Sequence, residues 1–145
     1  MLLRKVKRHP NVMFLIDWHL DSERHLYFVM PLMAGSLHGY LSQNGVRELS
    51  ESTAANFTAQ ITKGLLFLHQ KLNHVHRDVK PGNILMSELS EHASLRISDF
   101  GLAVWEELRS TLAGTPGYMA PEILKSGSDR KRLYSTKKGM FSWFV

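Results

Sequence analysis

The stretch HVHRDVKPGNIL, His74 to Leu85, constrains the chain more than any other segment. Val75, Val79, Ile84 and Leu85 want burial, yet two His, an Arg, an Asp, a Lys and an Asn stand among them. Burying a charge without partners is costly. The apolar residues must therefore pin this segment to a core, while the charged ones face a polar cleft.

The rest of the chain can supply that core. Its 145 residues suit one ordinary domain, and 43% hydrophobic with 21% charged residues is a globular composition. With no Cys there is neither a disulfide framework nor a thiolate metal site, which fits a reducing, intracellular setting, cytoplasmic or nuclear. The start, MLLRKVKRHP, has too short an apolar run for a signal peptide. No apolar run approaches the roughly 20 residues that span a bilayer.

The net charge of +5 is unevenly placed. Residues 1–8 hold four Lys/Arg and residues 125–138 hold six. Residues 9–124 hold eight Lys/Arg against twelve Asp/Glu, a net of −4. A mildly acidic body without interleaved aromatic and basic residues does not suggest nucleic acid as a partner.

NVMFLIDW (11–18) and HLYFVM (25–30) read as strands, joined by a hairpin turn over HLDSER (19–24). GSLHGYLSQNG (35–45) reads as a short helix ended by Asn44-Gly45. LSESTAANFTAQITKGLLFLHQ (49–70) is the clearest helix. Ser50 suits its N-cap and Glu51 its positive end, and Phe57, Ile61, Leu65 and Leu68 recur at helical spacing. SLRISDFG (94–101) reads as a strand running into a loop, and STLAGTPGYMAPE (110–122) as a loop punctuated by Gly and Pro. The expected class is α+β.

Asp78 and Asn83 place two oxygen groups on one loop, and Asp99 adds a carboxylate after a later strand. Hard oxygen ligands of this kind suit Mg²⁺, which keeps few protein ligands and takes phosphate oxygens besides. Lys80 adds a compact cation where negative charge would develop. An acceptor for a hydroxyl proton, metal ligands and a charge stabiliser form a set suited to phosphoryl transfer. A lone HRD or DFG would more often be an ordinary turn. The order HRD-x-x-x-x-N (76–83), DFG (99–101), APE (120–122) is a known signature set.

By these motifs the chain resembles the eukaryotic protein kinase family over nearly its whole length. The resemblance implies a protein kinase-like fold, here a partial domain. Residues 1–30 would be the remnant of the small lobe, 31–35 the hinge, and 36–145 part of the helical large lobe. RHPNV (8–12) resembles the segment that joins helix C to the next strand. LYFVMPLMAGSL (26–37) resembles the hinge, with Met30 as gatekeeper. Pro31 would then offer a carbonyl to adenine, Met33 an N–H and a carbonyl, and Leu85 an apolar floor. A Pro is tolerable where only its carbonyl is used.

HRDVK (76–80) followed by GTPGYMAPE (114–122) is similar to the serine/threonine branch. The resemblance implies Asp78 as catalytic base and Lys80 as the cation steadying the transferred phosphate. It makes Asn83 and Asp99 the Mg²⁺ ligands and Thr115 a brace for Asp78 and Lys80. ATP and Mg²⁺ are the implied cofactors, and Ser/Thr hydroxyls of proteins the substrates. Arg77 would receive a phosphate on the activation loop at Thr111, with Ser110 as second site. His76 would stack with Phe100 in a spine completed by Leu3 and Leu15. The insert MSELSEHASL (86–95) is slightly similar to that of calmodulin-dependent kinases.

The chain departs from the family pattern at both ends. No G-x-G-x-x-G loop and no V-A-I-K lysine is present. Gly139 stands where the family has an Asp, and Phe144 where it has a Gly. The expectation is a fragment of a serine/threonine kinase, unstable and silent alone. The alternative is an inactive kinase-like binding or regulatory module.

Overall fold

A computed structural model describes residues 9–43, 49–105, 113–119 and 121. Its backbone of packing is a long helix, α2 (Glu51–Leu72). The Ser50 hydroxyl accepts the Thr53 N–H at 3.2 Å, so the cap anticipated from sequence starts the helix. At the other end Asn73 turns left-handed, φ 54°, and its N–H returns to the His69 carbonyl. Phe57, Ile61, Leu65 and Leu68 are all buried, so the helical stripe lies on the core.

What that stripe covers is a three-stranded antiparallel sheet ordered β3 (Gly35–Ser36), β5 (Ile84–Met86), β6 (Leu95–Ile97). Ile84, Met86, Leu95 and Ile97 point into the core with Val12 and Val79. The segment Asn11–Met13 lies beside β6. Met13 N–H donates to the Ile97 carbonyl at 2.8 Å, and Ile97 N–H to the Asn11 carbonyl at 3.0 Å. A further pair joins β4 (His74–Val75) to β7 (Val104–Trp105). The hairpin of β1 (Asp17–Leu20) and β2 (Leu26–Val29) is separate from both.

Helix and sheet together make the expected α+β class. Three local readings change. The apolar run 11–18 is not one strand: its start joins β6, and regular pairing resumes only at Asp17. Two different sheets recruit its two ends. The hairpin turn is shorter than 19–24, because His19 and Leu20 belong to β1. Asp21 tightens it by accepting the N–H groups of Glu23 and His25 at 2.9 and 2.8 Å. Gly35 and Ser36 do not begin the first helix, α1 (Leu37–Gln43), but form β3 against β5. Ser36 still caps α1, its hydroxyl accepting the Gly39 N–H at 3.1 Å. Asn44 and Gly45, the expected stop, lie outside the described residues.

Candidate functional site

Four buried apolar residues anchor the loop between β4 and β5. Val75, Val79, Ile84 and Met86 are each at most 4% exposed, which pins both ends of the segment 76–83 to the core. Between them the polar side chains bond to one another. Asp78 Oδ1 accepts the Thr115 N–H at 2.9 Å and the Thr115 hydroxyl at 2.7 Å. Asp78 Oδ2 meets Lys80 Nζ at 2.8 Å and accepts Asn83 Nδ2 at 3.0 Å. Lys80 Nζ also donates to Thr115 Oγ1 at 2.7 Å, closing a small ring.

Burial of Asp78 would raise its pKa, but donation from Lys80, Thr115 and Asn83 outweighs burial and holds it below the ordinary carboxylate value. Asp78 is thus an ionised acceptor at neutral pH. It is a weak base in this resting arrangement, better suited to orienting a hydroxyl than to removing its proton early.

Asn83 is held by Asp78 through one end of its side chain only. Its amide nitrogen donates to the Asp78 carbonyl at 2.8 Å as well as to Oδ2. Both amide hydrogens are engaged, so the side-chain oxygen is left as the outward acceptor, and no described residue donates to it. Asp99 follows β6 with φ 59°, and its Oδ1 accepts the Gly101 N–H at 3.2 Å. An Asp adopts this left-handed conformation more readily than most residues. One amide oxygen and one exposed carboxylate form a hard, sparse donor set, the kind that suits Mg²⁺. No cluster of three or more His, Cys, Asp or Glu exists among the described residues, so a dedicated protein cage is not offered.

His76 links the two loops. It is 1% exposed, and burial holds its pKa below the ordinary 6.5. Nδ1 accepts the Asp78 N–H at 3.3 Å and Nε2 meets the Ser98 carbonyl at 2.8 Å. These partners require a neutral ring with the proton on Nε2. The Phe100 ring meets it edge-on, 5.4 Å between centroids and 64° between planes, rather than face to face. Leu15 is half-buried, and Leu3 lies outside the described residues.

The hinge candidates sit at one edge. Met30 is 43% exposed, and Pro31 and Met33 are half-buried. Among the described residues nothing takes the Pro31 carbonyl or the Met33 N–H and carbonyl. Leu85, half-buried on β5, lies opposite Ser36 and Arg96. Arg77 stands at φ 70° with Nε donating to the Leu102 carbonyl at 2.6 Å. Thr111, Ser110, Glu122 and Gly139 lie outside the described residues.

The description "protein kinase domain" fits residues 1–144. The chain belongs to the protein kinase family. It is 41% identical over 133 residues to the phosphorylase b kinase gamma catalytic chain, liver/testis isoform, of Mus musculus, covering 88% of this chain and 31% of that protein. To calcium/calmodulin-dependent protein kinase type 1B of Rattus norvegicus it is 34% identical, covering 99% of this chain and 41% of the relative. The solved yeast RNA Pol II CTD kinase CTDK-1 complex contains a similar fold. The TM-score is 0.78 at 30% identity, over 97% of this chain and 44% of that one. The chain thus spans about a third to just under half the length of these relatives.

Around Asp78 two further residues carry the geometry without having been singled out in the sequence. Gly114 has φ 120°, and a Cβ there would lie 2.4 Å from the Arg77 carbonyl oxygen. Only a glycine allows the segment to approach closely enough for Thr115 to reach Asp78. Its place before Thr115 was the available signal. Ser98 is the other. Its N–H and hydroxyl both donate to the Asn83 carbonyl, at 2.9 and 3.0 Å. Its position beside Asp99 was visible, but its partner 15 residues away was not.

Proposed function

We propose that the chain is the catalytic-loop portion of a serine/threonine protein kinase, transferring a phosphoryl group from ATP to Ser or Thr hydroxyls of proteins. The observation that carries this is Asp78 held by Thr115, Lys80 and Asn83 while the Asn83 side-chain oxygen stays open. Residues 1–30, 31–35 and 36–145 are read as the small-lobe remnant, the hinge and part of the large lobe. Family membership and the 41% identity to a kinase catalytic chain support the reading.

In this reading Asp78 accepts a hydrogen bond from the substrate hydroxyl and takes its proton late, as the new oxygen–phosphorus bond forms and the bond from that phosphorus to the bridging oxygen of ATP breaks, releasing ADP. A loose, metaphosphate-like transition state needs little early deprotonation, which suits a weakly basic carboxylate. Lys80 leans toward the transferred group and offsets its charge. Thr115 holds Asp78 and Lys80 in register. Asn83 and Asp99 would hold Mg²⁺. Bound Mg²⁺–ATP supplies the phosphoryl group and a divalent counter-charge. Pro31, Met33 and Leu85 would seat adenine under Met30. Arg77 would receive a phosphate from Thr111, or from Ser110, with a guanidinium fork suited to it.

Gly139, where the family carries a carboxylate, favours a second reading, a kinase-like binding module without turnover. The test is a phosphorylation assay on a protein that joins this chain to a glycine-rich loop and strand lysine. Asp78→Asn should lower turnover by about 10²–10⁴-fold. Unchanged turnover would overturn the role of Asp78. No turnover in the parent would favour the binding module.

A further inference from the structure

Asn83 and Asp99 sit on different loops, so something must set one against the other. Asn83 lies at the end of the turn Pro81–Asn83, and Asp99 follows β6. The contact between them runs through Ser98. Its N–H donates to the Asn83 carbonyl at 2.9 Å, and its hydroxyl donates to the same oxygen at 3.0 Å. Its own carbonyl meets His76 Nε2 at 2.8 Å. His76 Nδ1 accepts the Asp78 N–H, and Asn83 Nδ2 donates to the Asp78 carbonyl. A closed circuit thus passes from Asp78 through His76, Ser98 and Asn83 back to Asp78.

Apart from the His76 ring and the Asn83 amide, the groups joined in that circuit are backbone. The Ser98 hydroxyl is different. Removing it leaves the ladder and the His76 contact intact, and leaves the Asn83 carbonyl with one donor in place of two. The bland explanation is that a half-buried serine has found the nearest acceptor. A second donor on one carbonyl, from the residue bonded covalently to Asp99, is more than burial of a hydroxyl requires. It also restrains the Asn83 backbone, from which the open side-chain oxygen projects.

We propose that Ser98 is a positioning residue that sets the spacing of the two oxygen ligands, Asn83 and Asp99, and so tunes divalent-cation affinity. This rests on the reading of those two residues as Mg²⁺ ligands. Its consequence is specific. The hydroxyl should matter to Mg²⁺ uptake more than to folding or to nucleotide stacking at the hinge.

The experiment is calorimetric titration of Mg²⁺ into the full chain saturated with a non-hydrolysable ATP analogue, with thermal melts alongside. Ser98→Ala should weaken Mg²⁺ binding about three- to tenfold, the equilibrium equivalent of one hydrogen bond. Ser98→Thr, which keeps the hydroxyl, should restore most of it. Ser98→Ala with unchanged Mg²⁺ affinity, or with only a lower melting temperature, would overturn the proposal. A Thr variant as weak as Ala would do the same. Asn83→Ala separates the two levels. If it binds Mg²⁺ as well as the parent, or the parent takes up none, the ligand reading fails first. If Asn83→Ala weakens binding and Ser98→Ala does not, only the role of Ser98 falls.

Discussion

Between His76 and Asn83 the polar side chains bond to neighbours in a buried loop, whereas along β1 and β2 every residue is exposed. The loop is short and irregular, yet core residues anchor both its ends. The hairpin has regular pairing from Asp17↔Val29 to Leu20↔Leu26, yet Trp18, Tyr27 and Phe28 are 43%, 52% and 40% exposed. Regular secondary structure is therefore a poor guide to burial here. Two-stranded ribbons are marginal unless a face is covered. An irregular loop whose polar groups are paired and whose apolar flanks are buried is held from several directions.

The widest separation should come from truncating an aromatic in each region. Phe57 is 2% exposed in the core that supports the loop. Phe57→Ala should cost about 3–5 kcal/mol, while Phe28→Ala should stay within about 1 kcal/mol, as surface changes do. Denaturant unfolding of both variants decides it. Comparable losses would show that the hairpin face is covered in solution, and the contrast would collapse.

A smaller effect should come from the helix that carries the core. A Cβ at Gly64 would lie 2.6 Å from the Asn11 carbonyl oxygen and 2.8 Å from Ile97 Cδ1. Helix propensity alone predicts that Gly64→Ala gains about 1 kcal/mol. Overpacking against backbone should instead cost about 1–3 kcal/mol and win. A variant more stable than the parent would show that α2 and the Asn11 strand have room to part.

The gentlest probe is pH. Burial holds His76 below its ordinary 6.5, so the unfolded chain binds a proton that the folded chain refuses. Its contribution is complete above about pH 6.5 and is lost as pH falls toward the folded value. His9, lowered by burial while its Nδ1 accepts the Asn11 N–H, adds in the same direction. Melting temperature should therefore decline between pH 7 and pH 5, and His76→Gln should flatten part of that slope. A profile flat across the range would mean that burial does not depress His76 in the folded chain, contrary to its two partners.

Much of this was legible in the order of residues. The helical stripe of Phe57, Ile61, Leu65 and Leu68 and the Ser50 cap are local patterns, decided by neighbours three or four positions apart. The residue types of the site, Asp78, Lys80, Asn83 and Asp99, were legible for the same reason, since each is a chemical group at a fixed spacing. Only the tertiary structure decided how they meet. The family resemblance, not spacing, paired Thr115 with Asp78 across 37 positions; that Ser98 reaches Asn83 across 15, and that Gly114 is needed because a carbonyl from another loop lies against it, came only from the fold. The same holds for the split of 11–18 between two sheets. A run of apolar residues states that it must be buried, but not against which strand. Periodicity reports the direction of burial, and hydrogen-bond partners distant in sequence are chosen only when the packed core brings their loops together.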